Sequence, residues 1–287
     1  MRARIRDTEL FYDIDGPQLV PDGPRMARRP VLFLLHGGPG GDHVGFKTQL
    51  GTLTDVAQLV YIDHRGSGRS PPADPETYTL EHNVEDVEAL RDHFGVQRIS
   101  ILGSSYGGMV AQGYAIRYPE RVANLILSAT APSHRFIEDA RRIVEQRGTP
   151  DQQRVCRRLW DANFESLDQL HEFYRVMGPL YSLRHDPVRF EESWQRSVRN
   201  IEQLNRGFGG FLRTFDFTGD LHRIPCPTLV LAGAHDWICP PDHSRVIADQ
   251  IPRAHLKIFA HSSHLIAQDE PDEYLWAVRG FLTYAAV

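Results

Sequence analysis

The segment Gly103-Ser104-Ser105-Tyr106-Gly107 follows the apolar run 99–102 and precedes a helix-like stretch, 109–118. A strand that reverses sharply into a helix holds its turn residue in an unfavourable backbone conformation, so its neighbours must be small. Gly103, Gly107 and Gly108 supply that room. On this reading Ser105 projects its hydroxyl above a sheet at a helix N-terminus, where backbone amides point into the same space. A glycine-rich turn with an incidental serine would have the same five letters, because Gly and Ser crowd ordinary turns. The rest of the chain decides between the two.

Short apolar runs recur at 31–35, 58–62, 99–102, 125–128, 228–232 and 256–259, with helical segments between most of them. Strands apolar on both faces that alternate with helices predict a parallel sheet covered on both sides. Ahead of them, 3–14 alternates like an antiparallel strand or hairpin at one edge, and 17–30 reads as a proline-rich loop. The strand pattern stops after Ser128 and resumes at Thr228. Between them, 136–146, 152–163, 167–176 and 187–204 have helical character, broken at Gly148-Thr149-Pro150 and Gly178-Pro179. The expected organisation is an α/β core from 1–132 and 216–287, with 133–215 inserted as a helical cap over the C-terminal edge of the strands.

A chain of 287 residues, 41% hydrophobic and 24% charged, is long enough for one large α/β domain carrying an insertion. A net charge of −5 and a pI near 6.3 provide no basic field for nucleic acid. No segment approaches the roughly 20 apolar residues of a membrane span, and no apolar signal region follows the N-terminus, so the expected location is cytoplasmic. Cys156, Cys226 and Cys239 are widely spaced and odd in number, which predicts reduced thiols rather than a disulfide framework or zinc site. The 14 histidines are scattered, which argues against a metal centre.

Serine acyl transfer requires a base, a group that orients the base, and donors for the oxyanion. Asp236 follows the run 228–232 through Gly233-Ala234-His235, as a carboxylate held at a strand end would. A turn or N-cap aspartate is the structural alternative. His264 follows 256–259 in the loop Ala260-His261-Ser262-Ser263-His264 and directly precedes an apolar helical start, so it is preferred to His261 as the base. His36-Gly37-Gly38-Pro39-Gly40 follows the first buried run and lacks the G-x-G-x-x-G spacing of a dinucleotide site. Gly38 is the expected main-chain oxyanion donor, with Gly37 the close alternative, and the second donor is the amide of Tyr106. The loop 63–70 (Asp-His-Arg-Gly-Ser-Gly-Arg-Ser) reads as an internally bonded turn bracing the site, although its charges offer substrate contacts.

These segments together resemble the α/β-hydrolase fold and, within it, the prolyl iminopeptidase-like serine hydrolases. His36 to Gly40 matches that family's most distinctive motif, 63–70 its Asp-x-Arg-Gly-x-Gly-x-Ser loop, and 103–108 its elbow. Weaker segments around its acid and base match 227–240 and 263–271. The resemblance covers nearly the whole chain and implies a Ser105, Asp236, His264 triad, a helical cap, and cleavage of amides or esters without cofactor. It departs at one point. Aminopeptidases of this family tend to hold the free amine with glutamates, one from the cap and one directly after the catalytic aspartate. Here Trp237 follows Asp236, and the cap stretch 205–210 contains no acid, which leaves Glu191, Glu192 or Glu202 as substitutes. Trp160, Trp194, Phe208, Phe211 and Phe215 give the insertion aromatic surface for an apolar acyl or aryl group.

The expected activity is hydrolysis of a small-molecule ester or amide through an acyl-enzyme on Ser105. Gly37, Trp237, Phe208 and Phe211 are the expected substrate contacts. A proline iminopeptidase or amino-acid amidase is the alternative within the class, and a non-catalytic ligand receptor is the alternative outside it.

Overall fold

In the computed structural model, which describes residues 1–284, the chain opens with an antiparallel hairpin of β1 (Arg2–Ile5) and β2 (Thr8–Asp15). A separate two-stranded ribbon follows, β3 (Leu19–Asp22) and β4 (Arg25–Arg28). Strands and helices then alternate: β5 (Val31–Leu35), α1 (Val44–Leu50), β6 (Gln58–Ile62), α2 (Leu80–His93), β7 (Ile99–Ser104), α3 (Tyr106–Arg117) and β8 (Val122–Ser128). Next come α4 (Phe136–Arg147), α5 (Pro150–Asp161), α6 (Leu167–Tyr181), α7 (Pro187–Arg196) and α8 (Ile201–Gly209). The alternation resumes with β9 (Thr228–Gly233), α9 (Pro241–Gln250) and β10 (Ala254–Phe259), and ends in α10 (Ile266–Asp269) and α11 (Pro271–Tyr284).

Eight strands form one sheet in the order β1-β2-β6-β5-β7-β8-β9-β10. Pairing is parallel from β6 to β10, and antiparallel where β2 meets β1 and β6. The chain thus has an α/β-hydrolase fold. Strand β5 shows why its five apolar residues run without interruption. Val31, Phe33 and Leu35 join a core with Val87, Leu90 and Val110 on one face, and Leu32 and Leu34 join Leu50 and Val278 on the other. Each such side chain contributes about 1.5–3 kcal/mol when removed from water.

The five helices between β8 and β9 begin and end side by side. Phe217 N donates to Pro132 O at 2.8 Å and His134 N to Phe215 O at 2.9 Å, so the insertion leaves and re-enters the core at one place. Their starts are written in the sequence. Thr149 and Gln152 form a reciprocal capping box with Pro150 at the first turn of α5, and Asp186 and Asn200 cap α7 and α8.

Three expectations are corrected. The proline-rich stretch 17–30 contains the β3–β4 ribbon, in which Pro21 is tolerated because the ribbon joins no larger sheet, and Gly23 turns at φ +57°. Helix α6 runs through Gly178-Pro179 rather than breaking there, and its last turn carries Tyr181 to the rings of Trp237 and His264. The stretch 187–204 is two helices, because the segment between them is fixed to core loops by Val198 N donating to Asp42 and Asn200 N donating to Gly40 O.

Close packing of the elbow gives a stability test. A Cβ at Gly107 would lie 2.0 Å from the Leu35 carbonyl oxygen. Gly107→Ala is expected to destabilise the protein by about 3 kcal/mol or more, whereas Gly280→Ala, with no neighbour within 4 Å in α11, should stabilise it by up to about 1 kcal/mol. Thermal unfolding of the two variants would contradict this packing if their midpoints coincided.

Candidate active site

Ser105 sits between β7 and α3 at φ 55° and ψ −121°, a conformation that a side-chain-bearing residue adopts at a cost of about 1–3 kcal/mol. Its surroundings hold it there. Ser105 N donates to Ser128 O at 2.9 Å, and its carbonyl accepts from Gly108 N at 2.9 Å and Thr130 Oγ1 at 2.7 Å. A Cβ at Gly103 would meet the Gly107 carbonyl at 2.3 Å, and one at Gly108 would meet Thr130 at 2.6 Å. Only glycine fits at these flanking positions.

Asp236 and His264 come together from the loops after β9 and β10. Asp236 Oδ2 lies 2.8 Å from His264 Nδ1, while Oδ1 accepts from the amides of Ile238 and Cys239, each at 2.9 Å. The carboxylate is fully buried. A carboxylate only accepts, so His264 carries its proton on Nδ1 and leaves Nε2 with a free lone pair. His261, the other histidine of the loop, is exposed. The loop is tied by acids that the sequence reading did not single out. Asp269 accepts from Ser263 N at 2.8 Å, and also from Ser182 Oγ and the Leu183 and Arg184 amides at the end of α6. Glu270 accepts from His261 N and Ser262 Oγ. Their position just before Pro271 was the available signal.

The glycine loop flanks the serine: a Cβ on Gly37 would lie 3.1 Å from Ser105 Cβ and 3.6 Å from its Oγ. Among the described residues, the amides of Gly38 and Tyr106 donate to no protein acceptor. The Tyr106 side chain turns away, with its hydroxyl accepting from Asn83 at 2.8 Å. Behind the loop, His36 Nδ1 donates to Gly37 O at 2.7 Å and Nε2 accepts from His64 N at 3.2 Å. Burial pushes both His36 and His64 below the ordinary imidazole range, so both are neutral at neutral pH.

The loop 63–70 is internally bonded. Asp63 accepts from His43 N and Nδ1 and from Arg69 N, each at 2.8 Å, and Ser70 Oγ donates to Asp63 O at 2.7 Å. The buried Arg65 guanidinium forks onto Asp86 at 2.7 Å through Nε and Nη2 and reaches Asp7 at 2.9 Å. Gln203 of α8 is bonded to Ser67 Oγ and to the Arg65 carbonyl, which joins the insertion to this brace.

A cavity of about 660 Å³ is lined by Ser105, His264, Gly37, Gly38 and side chains of the inserted helices. Apolar walls come from Met109, Phe136, Leu159, Phe208, Leu212 and Ile238. No hydrogen bond joins Ser105 Oγ to His264 in this geometry. Phe208 lines the cavity, but two other expected substrate contacts do not. Trp237 is 1% exposed and packs its ring against Trp160 and Tyr181, within the turn in which the Asp236 carboxylate binds the amides of Ile238 and Cys239. Phe211 packs against the Tyr106 ring, away from the lining. Of the three candidate glutamates, Glu192 reaches the cavity wall, Glu191 is bonded to His171, and Glu202 is paired with Arg206. Cys239 also lines the cavity, and burial beside Asp236 pushes its thiol well up, which keeps it protonated.

The family profile of the alpha/beta hydrolase fold matches residues 30–271. The chain is 37% identical over 280 residues to the proline iminopeptidase PfmaB of Pestalotiopsis fici, covering 95% of this chain and 98% of that one. It is 31% identical to a proline iminopeptidase of Saccharolobus solfataricus, covering 88% and 84% of the two chains. Among solved structures, the proline iminopeptidase of Mycobacterium smegmatis superposes with a TM-score of 0.77 at 22% identity, covering 99% of this chain and 98% of that one. A thermophilic esterase from Thermogutta terrifontis superposes with a TM-score of 0.76 at 27% identity over the full length of both.

The brace behind the site has a pH signature. Burial raises the Asp63 carboxyl, but the His43 hydrogen bond, the flanking His36 and His43 imidazoles and the Arg69 amide outweigh it, and the net shift is downward. A group that ionises at lower pH when folded stabilises the fold fully at neutral pH, and this contribution fades as the pH falls through about 4 and below. Asp63→Asn should lose about 1–3 kcal/mol at pH 7 and show a flatter loss of stability between pH 6 and 3 than the parent. Parallel unfolding curves in denaturant across that range would contradict the assignment.

Proposed function

The chain belongs to the α/β-hydrolase family, in its prolyl iminopeptidase-like branch, and from that membership we propose that it is a serine hydrolase cleaving a small ester or amide through an acyl-enzyme on Ser105. The observation that carries the proposal is the buried Asp236–His264 pair, 2.8 Å apart, whose imidazole lines the same cavity as a serine held at an elbow. In this scheme His264 Nε2 takes the Ser105 proton as Oγ attacks the carbonyl carbon. Asp236 holds the tautomer and stabilises the imidazolium, and the unpaired amides of Gly38 and Tyr106 receive the oxyanion. The intermediate collapses and expels an alcohol or amine, which takes the proton back from His264. Water, deprotonated by His264, then attacks the acyl carbon and returns Ser105 to its starting form. The approach of base to nucleophile tightens when substrate fills the cavity. The inserted helices, 133–215, serve as the cap that shapes the acyl pocket.

A second reading is favoured by the relatives named proline iminopeptidase: hydrolysis after a free N-terminal residue. In that reading Glu192 is the acid of the cavity wall open to the substrate ammonium.

Ser105→Ala should lower kcat/KM for p-nitrophenyl esters at least about a thousandfold with the thermal midpoint preserved, and Asp236→Asn should lower it by a comparable factor. Undiminished turnover in a folded Ser105→Ala protein would refute the mechanism. A prolyl arylamide, its N-acetyl form and a short acyl ester separate the readings. The first reading expects the ester to be cleaved fastest and acetylation to matter little, whereas the second expects acetylation to abolish cleavage.

A further inference from the structure

Arg199 lies in the short segment between α7 and α8 and lines the cavity that contains Ser105 and His264. Its backbone is fixed on both sides. Val198 N donates to Asp42 Oδ2 at 2.8 Å, Asn200 N donates to Gly40 O at 2.9 Å, and Asn200 Nδ2 donates to Gly66 O at 2.8 Å. Arg199 is therefore held against the glycine loop that flanks the serine hydroxyl. Its side chain is equally well placed, with the guanidinium carbon 4.9 Å from the ring centroids of both Tyr174 and Trp194. Rings supply cation–π attraction to the guanidinium but accept few of its N–H donors.

Those donors have no other use among the described residues. Among the described residues, Arg199 makes no ion pair and donates no hydrogen bond, and its buried Nε is without a partner. Arg196, which also lines the cavity, is likewise without an ion pair among the described residues but is exposed, whereas other arginines nearby are held. Arg65 is saturated by Asp86 and Asp7, Arg69 is paired with Asp42, and Arg206 with Glu76 and Glu202. The nearby acids are committed elsewhere: Asp42 accepts from Arg69 and Val198, and Asp186 accepts from the first amides of α7. Glu192, which also lines the cavity, is not paired with it among the described residues. Leaving a half-buried guanidinium unpaired is unfavourable, and a planar carboxylate fits its fork of donors while the rings hold the cation in place.

We infer that Arg199 binds a carboxylate on the substrate, so that the ester or amide cleaved at Ser105 carries a negative charge. This specificity rests on the proposed hydrolysis at Ser105, but it can be read without turnover. On the Ser105→Ala protein, calorimetry compares methyl hydrogen glutarate with dimethyl glutarate, and 4-(butyryloxy)benzoate with its methyl ester. The two pairs place the carboxylate on the acyl side and on the leaving-group side. The expected result is at least tenfold tighter binding of the acid in one of the pairs. Adding Arg199→Met should remove that preference, and Arg199→Lys should retain part of it. A phosphate monoester of similar length tests whether any oxyanion suffices, and equal preference for it would contradict the planar fit. Equal affinities for acid and ester in both pairs, or a preference that survives Arg199→Met, would overturn the inference. If Ser105→Ala still turned over esters, the catalytic reading would fail while the binding comparison kept its meaning.

Discussion

The backbone of Ser105 is the constraint on which the site depends. At φ 55° and ψ −121° this residue is unfavourable by itself, and it persists because the carbonyl is gripped from two sides and the amide is bonded to β8. That geometry leaves no room for a Cβ at Gly103, Gly107 or Gly108. It also forces α3 against the end of β5, where the Leu35 carbonyl lies 2.0 Å from any Cβ at position 107. The glycine loop that follows β5 is thereby brought beside the serine hydroxyl. Strain, close packing and the outward placement of the Ser105 hydroxyl are consequences of one sharp reversal between strand and helix.

The other parts of the site are held by buried carboxylates rather than by regular structure. Asp236 binds two amides of its own loop and the imidazole of the next. Asp63 holds the loop after β6, and Asp269 joins the His264 loop to the end of α6. Each carboxylate is compensated by several donors, which is the condition for burying a charge. Asp269 and Gln203 both link core loops to the inserted helices, so hydrogen bonds tie the cavity wall to the loop of the candidate base and to the brace behind the site.

The sheet could be read from the sequence because burial on both faces leaves uninterrupted apolar runs such as 31–35, which few other structures produce. The elbow and the positions of Asp236 and His264 were also accessible, since each depends on what immediately follows a strand. What was missed depends on contacts remote in sequence. The division of 187–204 into two helices comes from Asn200 and Val198 meeting residues 40 and 42, and nothing local announces it. Pro179 stays helical because tertiary packing uses the turn that carries Tyr181. Trp237 was placed by its neighbour in sequence, whereas the turn after Asp236 sends its ring into the core against Tyr181. Arg199 is one of 32 basic residues in the sequence, and what sets it apart is a buried Nε without a partner, beside two rings at the wall of the cavity, which only the fold reveals.

The central claim is that Ser105 is an activated nucleophile, and covalent capture tests it without knowledge of the natural substrate. The protein is exposed to a fluorophosphonate, its intact mass is measured, and the modified peptide is sequenced by mass spectrometry. The account predicts a single adduct on Ser105, with labelling strongly slowed by His264→Ala. An unmodified Ser105, or an adduct on another residue with Ser105 unreacted, would contradict it.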